Sequence, residues 1–356
     1  MSAALIARAP GKLFLLGEYA VLDGGPAIVA GVDRYVSVRR VSRDDGKVRI
    51  EAPGHSEPLE FALGAMPLSH PSLGFALAAY AHAAAVRPEI ATRGVELTIG
   101  SQLDGDDGIK LGLGSSAAVT VATVAALLAP DFDVAQRSMD PLLTSPVRGD
   151  AHGGGTLVRD TIFSTAWRAH RAAQGGVGSG ADVAASTYGG IVRFTPGRRL
   201  LPRVAALPRP IDAILLAVWT GAAAATTKLV ARYSELPHDA RHDFVRASRA
   251  SVDCLARALR RGSLSSHALD AGGAALTRLA NATGLPLLTP RLNELVAIAR
   301  THGVAAKPSG AGGGDCGIAL TTDPTLARRV RAAWQAAGLQ PLDLRLSSQG
   351  VTVGAA

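Results

Sequence analysis

Apolar and polar positions alternate with a strand-like period of two near the start of the chain and a helical period later. Leu5-Ile6-Ala7 and Leu13-Phe14-Leu15-Leu16 are strand-like runs, and Pro10-Gly11 between them predicts a turn. A second turn is expected at Asp23-Gly24-Gly25, before strands at Ala27-Ile28-Val29 and Tyr35-Val36-Ser37-Val38. Residues 47–51 and 95–99 add two more strand patterns, with helical period over residues 73–86 between them. From Ala117 to Leu128 an almost unbroken Ala/Val/Thr run predicts a helix buried on most sides. Residues 129–156 are rich in Pro, Asp and Gly and predict a loop long enough to serve as a lid. Helical period returns over residues 158–173, a glycine loop covers residues 175–180, and residues 189–194 predict a strand.

Composition shifts near Pro196 to Pro210, which places a domain boundary there and divides the chain into residues 1–205 and 206–356. The second half opens with an expected strand at 213–219, then helices near 225–234, 240–261, 264–282 and 290–302. A third glycine loop, Ser309 to Asp315, leads into a strand at 316–321, then a helix at 326–337 and a strand at 343–346. The expectation is an α+β protein of two domains whose three glycine loops are free to meet in one cleft.

Composition narrows the function. The 356 residues carry a formal charge of +8, which suits an anionic ligand. The arginines are scattered, however, and pairs such as Arg39-Arg40, Arg198-Arg199, Arg260-Arg261 and Arg328-Arg329 read as solvated faces. No basic block is interleaved with aromatics, so a nucleic-acid partner is not expected. Cys254 and Cys316 cannot build a disulfide framework, and the nine histidines form no HExxH cluster. Arg8, Lys12 and Glu18 interrupt any apolar leader, and no apolar run approaches the roughly 20 residues that cross a bilayer. A cytoplasmic protein with no membrane partner is the expectation.

The chemistry concentrates in Lys110-Leu-Gly-Leu-Gly-Ser-Ser-Ala-Ala118. A helix start exposes roughly four unpaired N–H groups and about half a positive charge, and so attracts anions. Gly112 and Gly114 remove the side chains that would hold a phosphate away. Ser115 and Ser116 can cap that helix or reach a magnesium ion. Lys12 follows a Pro-Gly pair and enters an apolar strand, where a charge is costly unless it points at an anion. No Walker A sequence is present, since Gly11-Lys12 runs into Leu13, and no GxSxG elbow occurs. Gly312 to Gly317 matches GxGxxG, but it leads into a strand, the wrong context for dinucleotide binding.

Pro10-Gly-Lys-Leu-Phe-Leu-Leu-Gly-Glu-Tyr-Ala-Val-Leu22 resembles the first motif of the galactokinase, homoserine kinase, mevalonate kinase and phosphomevalonate kinase (GHMP) family. Gly112 to Ala118 resembles its second motif, and Lys307 to Gly317 its third, in the right order. Several details are most similar to the phosphomevalonate kinase branch. They are Glu18 to Leu22, Lys110-Leu111, Trp219-Thr220-Gly221 with Thr226 to Val230, and Gly178 to Ala184, where Ala181 replaces the usual aromatic. The resemblance implies a ribosomal protein S5 domain 2-like N-terminal domain and a ferredoxin-like α/β C-terminal domain. It implies phosphoryl transfer from ATP with Mg²⁺ to a small molecule, 5-phosphomevalonate ahead of mevalonate, by a monomer or homodimer. A related decarboxylase and a non-catalytic sensor are rivals that intact Lys12, Ser116 and Asp182 disfavour.

The residue roles follow from the same resemblance. Lys110, Gly112, Leu113, Gly114, Ser115, Ser116 and Ala117 would hold the ATP phosphates, with Ser116 also on magnesium. Lys12 and Asp182 would be catalytic. Asp182 would act as base for a hydroxyl acceptor, or would orient Lys12 when the acceptor is a phosphate monoester, whose second pKa near 6 already leaves it nucleophilic. Acceptor contacts would come from Lys12, Glu18, Tyr19, Ser179, Gly180 and Asp182, then from Thr220, Thr227 and Lys228. Ser309, Gly310, Ala311, Gly312 and Gly313 complete that set, with a buried pair as the alternative for Glu18 and plain core for Trp219.

Overall fold

Pro10-Gly11 does not end the first strand. In the computed structural model, which describes residues 4–105, 108–130, 154–197 and 200–356, strand β1 runs unbroken over Leu5–Leu16. Its pairing with β2 (Ala27–Arg43) shifts register between Pro10 and Gly11, so the expected turn is a bulge. A bulge is where a strand tolerates a residue without an N–H. The two short strands expected at 27–29 and 35–38 are likewise one strand, paired with β1 over Ile28–Arg40 and with a second neighbour over Val36–Arg43.

Strands β3 (Lys47–Glu51), β4 (Leu59–Ala62) and β5 (Gly94–Ser101) extend this sheet in the order β1-β2-β5-β3-β4. Helices α1 (Gly74–Val86), α2 (Ser115–Leu128), α3 (Gly154–Ala173) and α4 (Ala181–Tyr188) pack on one another, and α2 and α4 lie against β1 and β2. Helix α2 buries ten of its fourteen residues, which its small apolar side chains permit. Most of the expected 129–156 loop, and Arg198-Arg199, lie outside the described residues; residues 154–156 open α3.

Strand β6 (Ile191–Thr195) pairs with β2, and β7 (Arg203–Leu207) pairs with β6. A second, antiparallel sheet contains β8 (Ile214–Trp219), β9 (Ala306–Ser309), β10 (Cys316–Thr321) and β11 (Gln340–Leu342), ordered β11-β8-β10-β9. Between its strands run α5 (Thr226–Ser234), α6 (His238–Arg260), α7 (Ser266–Thr283), α8 (Pro290–Thr301) and α9 (Pro324–Ala336). The chain then returns to the first sheet as β12 (Thr352–Ala355), antiparallel to β1. The result is an α+β protein built on two sheets.

Two expectations change. A cut between residues 205 and 206 falls inside β7, which belongs to the first sheet, and β12 carries residues 352–355 back to that sheet. The strand expected at 343–346 is not one; pairing with β8 stops at Leu342, and the segment turns to β2, where Leu346 makes a single bridge to Val32 and the Arg345 carbonyl accepts from the Asp33 N–H. Side chains on β8 alternate faces, and this joins the halves. Leu215, Ala217 and Trp219 enter the large core beneath β1 and β2, whereas Leu216 and Val218 meet Leu292, Leu295 and Trp334 on α8 and α9.

Cys316 sits at the junction, fully buried, with its Sγ donating to the Leu111 carbonyl at 3.0 Å. Burial pushes its thiol up from the ordinary 9.0 to about 12, and Asp315 adds to the shift. Between those values the unfolded chain loses a proton that the folded protein keeps, so this group's contribution to stability is lost as pH rises through the window. At pH 8 a thiol reagent is expected to label Cys316 only after unfolding, with peptide mapping by mass spectrometry as the check.

Candidate active site

Helix α2 begins on Gly114, a left-handed residue with φ 81° and no side-chain cap. By contrast α7, α8 and α9 are capped by Ser265, Thr289 and Asp323. Ser115 and Ser116 lie inside the helix rather than ahead of it, so the cap expected of them is not made. The N–H groups of this first turn therefore remain available to an anion. The glycines are needed for close approach. A Cβ on Gly112 would sit 2.6 Å from the Asp315 side chain, and one on Gly114 would sit 2.8 Å from the Lys12 stem.

Lys12 stitches the first motif to the second. Its backbone N–H donates to the Leu113 carbonyl at 2.8 Å, and its Nζ donates to the Gly112 carbonyl at 3.0 Å. The ammonium lies 5.6 Å from the Phe14 ring centroid, and no carboxylate among the described residues pairs with it. An ammonium has three donors, so two remain to face a ligand.

The third loop is tied to both. Tyr19 donates its hydroxyl to the Ala311 carbonyl at 2.5 Å, and Ser309 donates to the Phe14 carbonyl at 2.9 Å. Burial, then Glu18, pushes the Tyr19 phenol well above its ordinary range, so it stays a donor. Asp315 accepts from the Ala224 N–H at 2.8 Å, and Thr220 donates to the Asp315 carbonyl at 2.9 Å.

The second glycine loop is clamped by α3. Trp167 donates to the Ser179 carbonyl at 3.1 Å, and Arg171 donates to the carbonyls of Gly176 and Gly178 at 2.7 and 2.9 Å. Gly180, left-handed at φ 81°, then starts α4 and sets Asp182 in its first turn. Asp182 Oδ1 accepts from the Val183 N–H at 2.9 Å, while Oδ2 lies 3.8 Å from His170 Nε2. The same nitrogen lies 3.2 Å from Ser116 Oγ. Asp182 thus turns to His170 and forms no ion pair with Lys12, against expectation.

Several expected acceptor contacts are occupied elsewhere. Glu18, 4% exposed, is ion-paired with Lys307, 0% exposed, whose Nζ also donates to the Pro308 carbonyl at 2.5 Å. Its carboxylate serves the junction of the two sheets rather than a ligand. The Ser309 and Thr220 hydroxyls are satisfied within the fold, as given above. Gly312 and Gly313 pack against Leu287 and Leu229, whereas Gly310 borders open space. Thr227 and Lys228 are exposed in the first turn of α5, with no bond to the cluster.

Two cavities flank the loops. One of about 500 Å³ is lined by Phe75, Ser101, Lys110, Ser115 and Ser116, and joins the start of α2 to the exposed Lys110. Another of about 890 Å³ opens on Ser179 and is bordered by Arg171, His242, Arg246 and Arg249. Among the described residues no group of three or more His, Cys, Asp or Glu could hold a metal alone. No helix there is long and apolar enough to cross a membrane. Sequence reasoning missed His170, which lies in no motif, and it placed Asp315 in the third loop without a role; both act through partners far along the chain.

An open helix start, a poised ammonium and converging glycine loops on an α+β frame define a small-molecule kinase. Residues 255–340 match the family described as GHMP kinases C terminal. The phosphomevalonate kinase of Streptomyces sp. (strain CL190) is 34% identical, over 98% of each chain. The mevalonate kinase of Pyrococcus abyssi (strain GE5 / Orsay) is 29% identical, over 98% of this chain and 97% of its own. The solved Streptococcus pneumoniae phosphomevalonate kinase in complex with phosphomevalonate and AMPPNP has a TM-score of 0.75 at 21% identity, covering 96% of this chain and 99% of that one. The chain belongs to the GHMP kinase family.

Proposed function

We propose that the protein transfers the γ-phosphoryl group of ATP to 5-phosphomevalonate, releasing ADP and 5-diphosphomevalonate. The observation that carries this reading is Lys12, bonded through both its nitrogens to the loop that opens α2. A triphosphate on the first-turn N–H groups would place its terminal phosphate within the field of that ammonium, where charge develops during transfer. Lys110 borders the same cavity and adds a second cation.

A magnesium ion fits these residues. Ser116 Oγ and Asp182 Oδ2 lie 3.2 and 3.8 Å from His170 Nε2, so two oxygen donors from different motifs stand near one another. Magnesium takes oxygen ligands and keeps waters and substrate phosphates, so it needs no larger protein cluster. When bound it would offset the negative charge of the phosphates. Ser116 and Asp182 would hold it; Lys12 would stabilise the transferring group.

A phosphate acceptor attacks the γ-phosphorus of ATP through an oxygen that is largely deprotonated at neutral pH, as the bond from that phosphorus to the ADP leaving oxygen breaks. No protein base is then required. The arginine-bordered cavity beside Ser179 suits an acceptor with two anionic ends. Mevalonate is the second reading, favoured by the Pyrococcus abyssi relative and by Asp182 being available as a base. ADP release with 5-phosphomevalonate, mevalonate and galactose tests the choice. Turnover is expected with the first; a preference for mevalonate would transfer the assignment to the second reading.

A further inference from the structure

His170 lies in the last turn of α3, 1% exposed, and no motif points to it. Its ring stacks on Phe75, with centroids 5.1 Å apart and an interplanar angle of 28°. Its Nδ1 is buried and meets no partner. Its Nε2 faces two oxygens from different motifs, Ser116 Oγ at 3.2 Å and Asp182 Oδ2 at 3.8 Å. A neutral imidazole carries one proton. On Nδ1 that proton would be a buried donor with nothing to receive it, whereas on Nε2 it meets the Ser116 hydroxyl at hydrogen-bond distance, with the Asp182 carboxylate just beyond.

We infer that His170 is a positioning residue: its Nε2–H holds the Ser116 hydroxyl while facing the Asp182 carboxylate, and so keeps the two oxygens near one another. The inference rests on the kinase reading above. Ser116 is otherwise anchored only by its backbone, whose carbonyl accepts from Thr120 at 2.8 Å, and Asp182 keeps Oδ1 on the Val183 N–H. With Nε2–H holding the Ser116 hydroxyl, that oxygen is kept beside Asp182 Oδ2, each carried on its own helix. Groups that orient metal-facing oxygens typically change metal affinity or activity by about 10–100-fold when removed.

The test compares the wild-type protein with His170→Phe and His170→Gln. Phenylalanine keeps the stack on Phe75 and removes both nitrogens; glutamine returns an N–H near the place of Nε2. Calorimetry measures ADP affinity with and without Mg²⁺, steady-state assays give kcat and KM, and thermal unfolding reports the fold. His170→Phe is expected to lose about 10–100-fold of the Mg²⁺-dependent gain in ADP affinity, with a similar fall in kcat and an unchanged acceptor KM. It should unfold at or above the wild-type temperature, because an unpartnered buried nitrogen is gone. His170→Gln should recover most of the loss. Wild-type behaviour of His170→Phe overturns the inference alone, as does a loss that tracks a lowered unfolding temperature and that glutamine does not repair. A wild-type protein that binds no ADP overturns the kinase reading and the inference together.

Discussion

Lys12→Met is expected to lower kcat by about 10²–10³-fold while leaving the protein folded, since removing one preorganised donor to developing charge typically has that effect. Methionine keeps the apolar stem that lies against Gly114, so packing changes little. What goes is the Nζ bond to the Gly112 carbonyl and the two donors left for a ligand. Lys12→Arg should rescue poorly. A planar guanidinium cannot replace a compact ammonium where the stem is already in contact with a glycine. Steady-state kinetics with circular dichroism is the check. A kcat within a few-fold of wild type would remove Lys12 from the transfer step, and the kinase mechanism with it.

Lys307→Met is expected to destabilise the protein by about 3–5 kcal/mol, because it leaves the Glu18 carboxylate buried and unpaired. Glu18 follows β1 and Lys307 lies on β9, so the pair joins the two sheets across 289 residues of chain. Desolvation makes such a pair weak in net terms but costly to break from one side. Adding Glu18→Leu should therefore restore much of the lost stability. Urea unfolding of the single and double variants measures both effects. A single variant as stable as wild type would mean that the two charges are not held together in solution. The Tyr19 hydroxyl on Ala311 and the Ser309 hydroxyl on Phe14 span the same junction, so loss of the pair should also loosen the third loop.

What was legible in the sequence was local. The glycines and serines at 112–116 sit at a helix start, as their pattern requires, and the continuous apolar run of β8 and the period of α6 are visible residue by residue. What was not legible depends on partners distant in the chain. Pro10-Gly11 looks like a turn until β2 is beside it, where it becomes a bulge. Strands β7 and β12 are short and exist because β6 and β1 offer an edge. At the site, the Lys12 bonds join residues 100 apart, within reach of motif reasoning because both ends lie in recognisable loops. Glu18 and Thr220 looked equally available for an acceptor, but Lys307 and the Asp315 carbonyl engage them. His170 carries no motif, and only the helix that brings it between Ser116 and Asp182 gives it meaning.

A crystal structure of the protein with Mg²⁺ and a non-hydrolysable ATP analogue tests the central claim most directly. The account requires the β- and γ-phosphates on the N–H groups at the start of α2, with Lys12 Nζ on the terminal phosphate and Ser116 on the ion. A nucleotide bound away from α2, or one that leaves Lys12 without a phosphate contact, would contradict it.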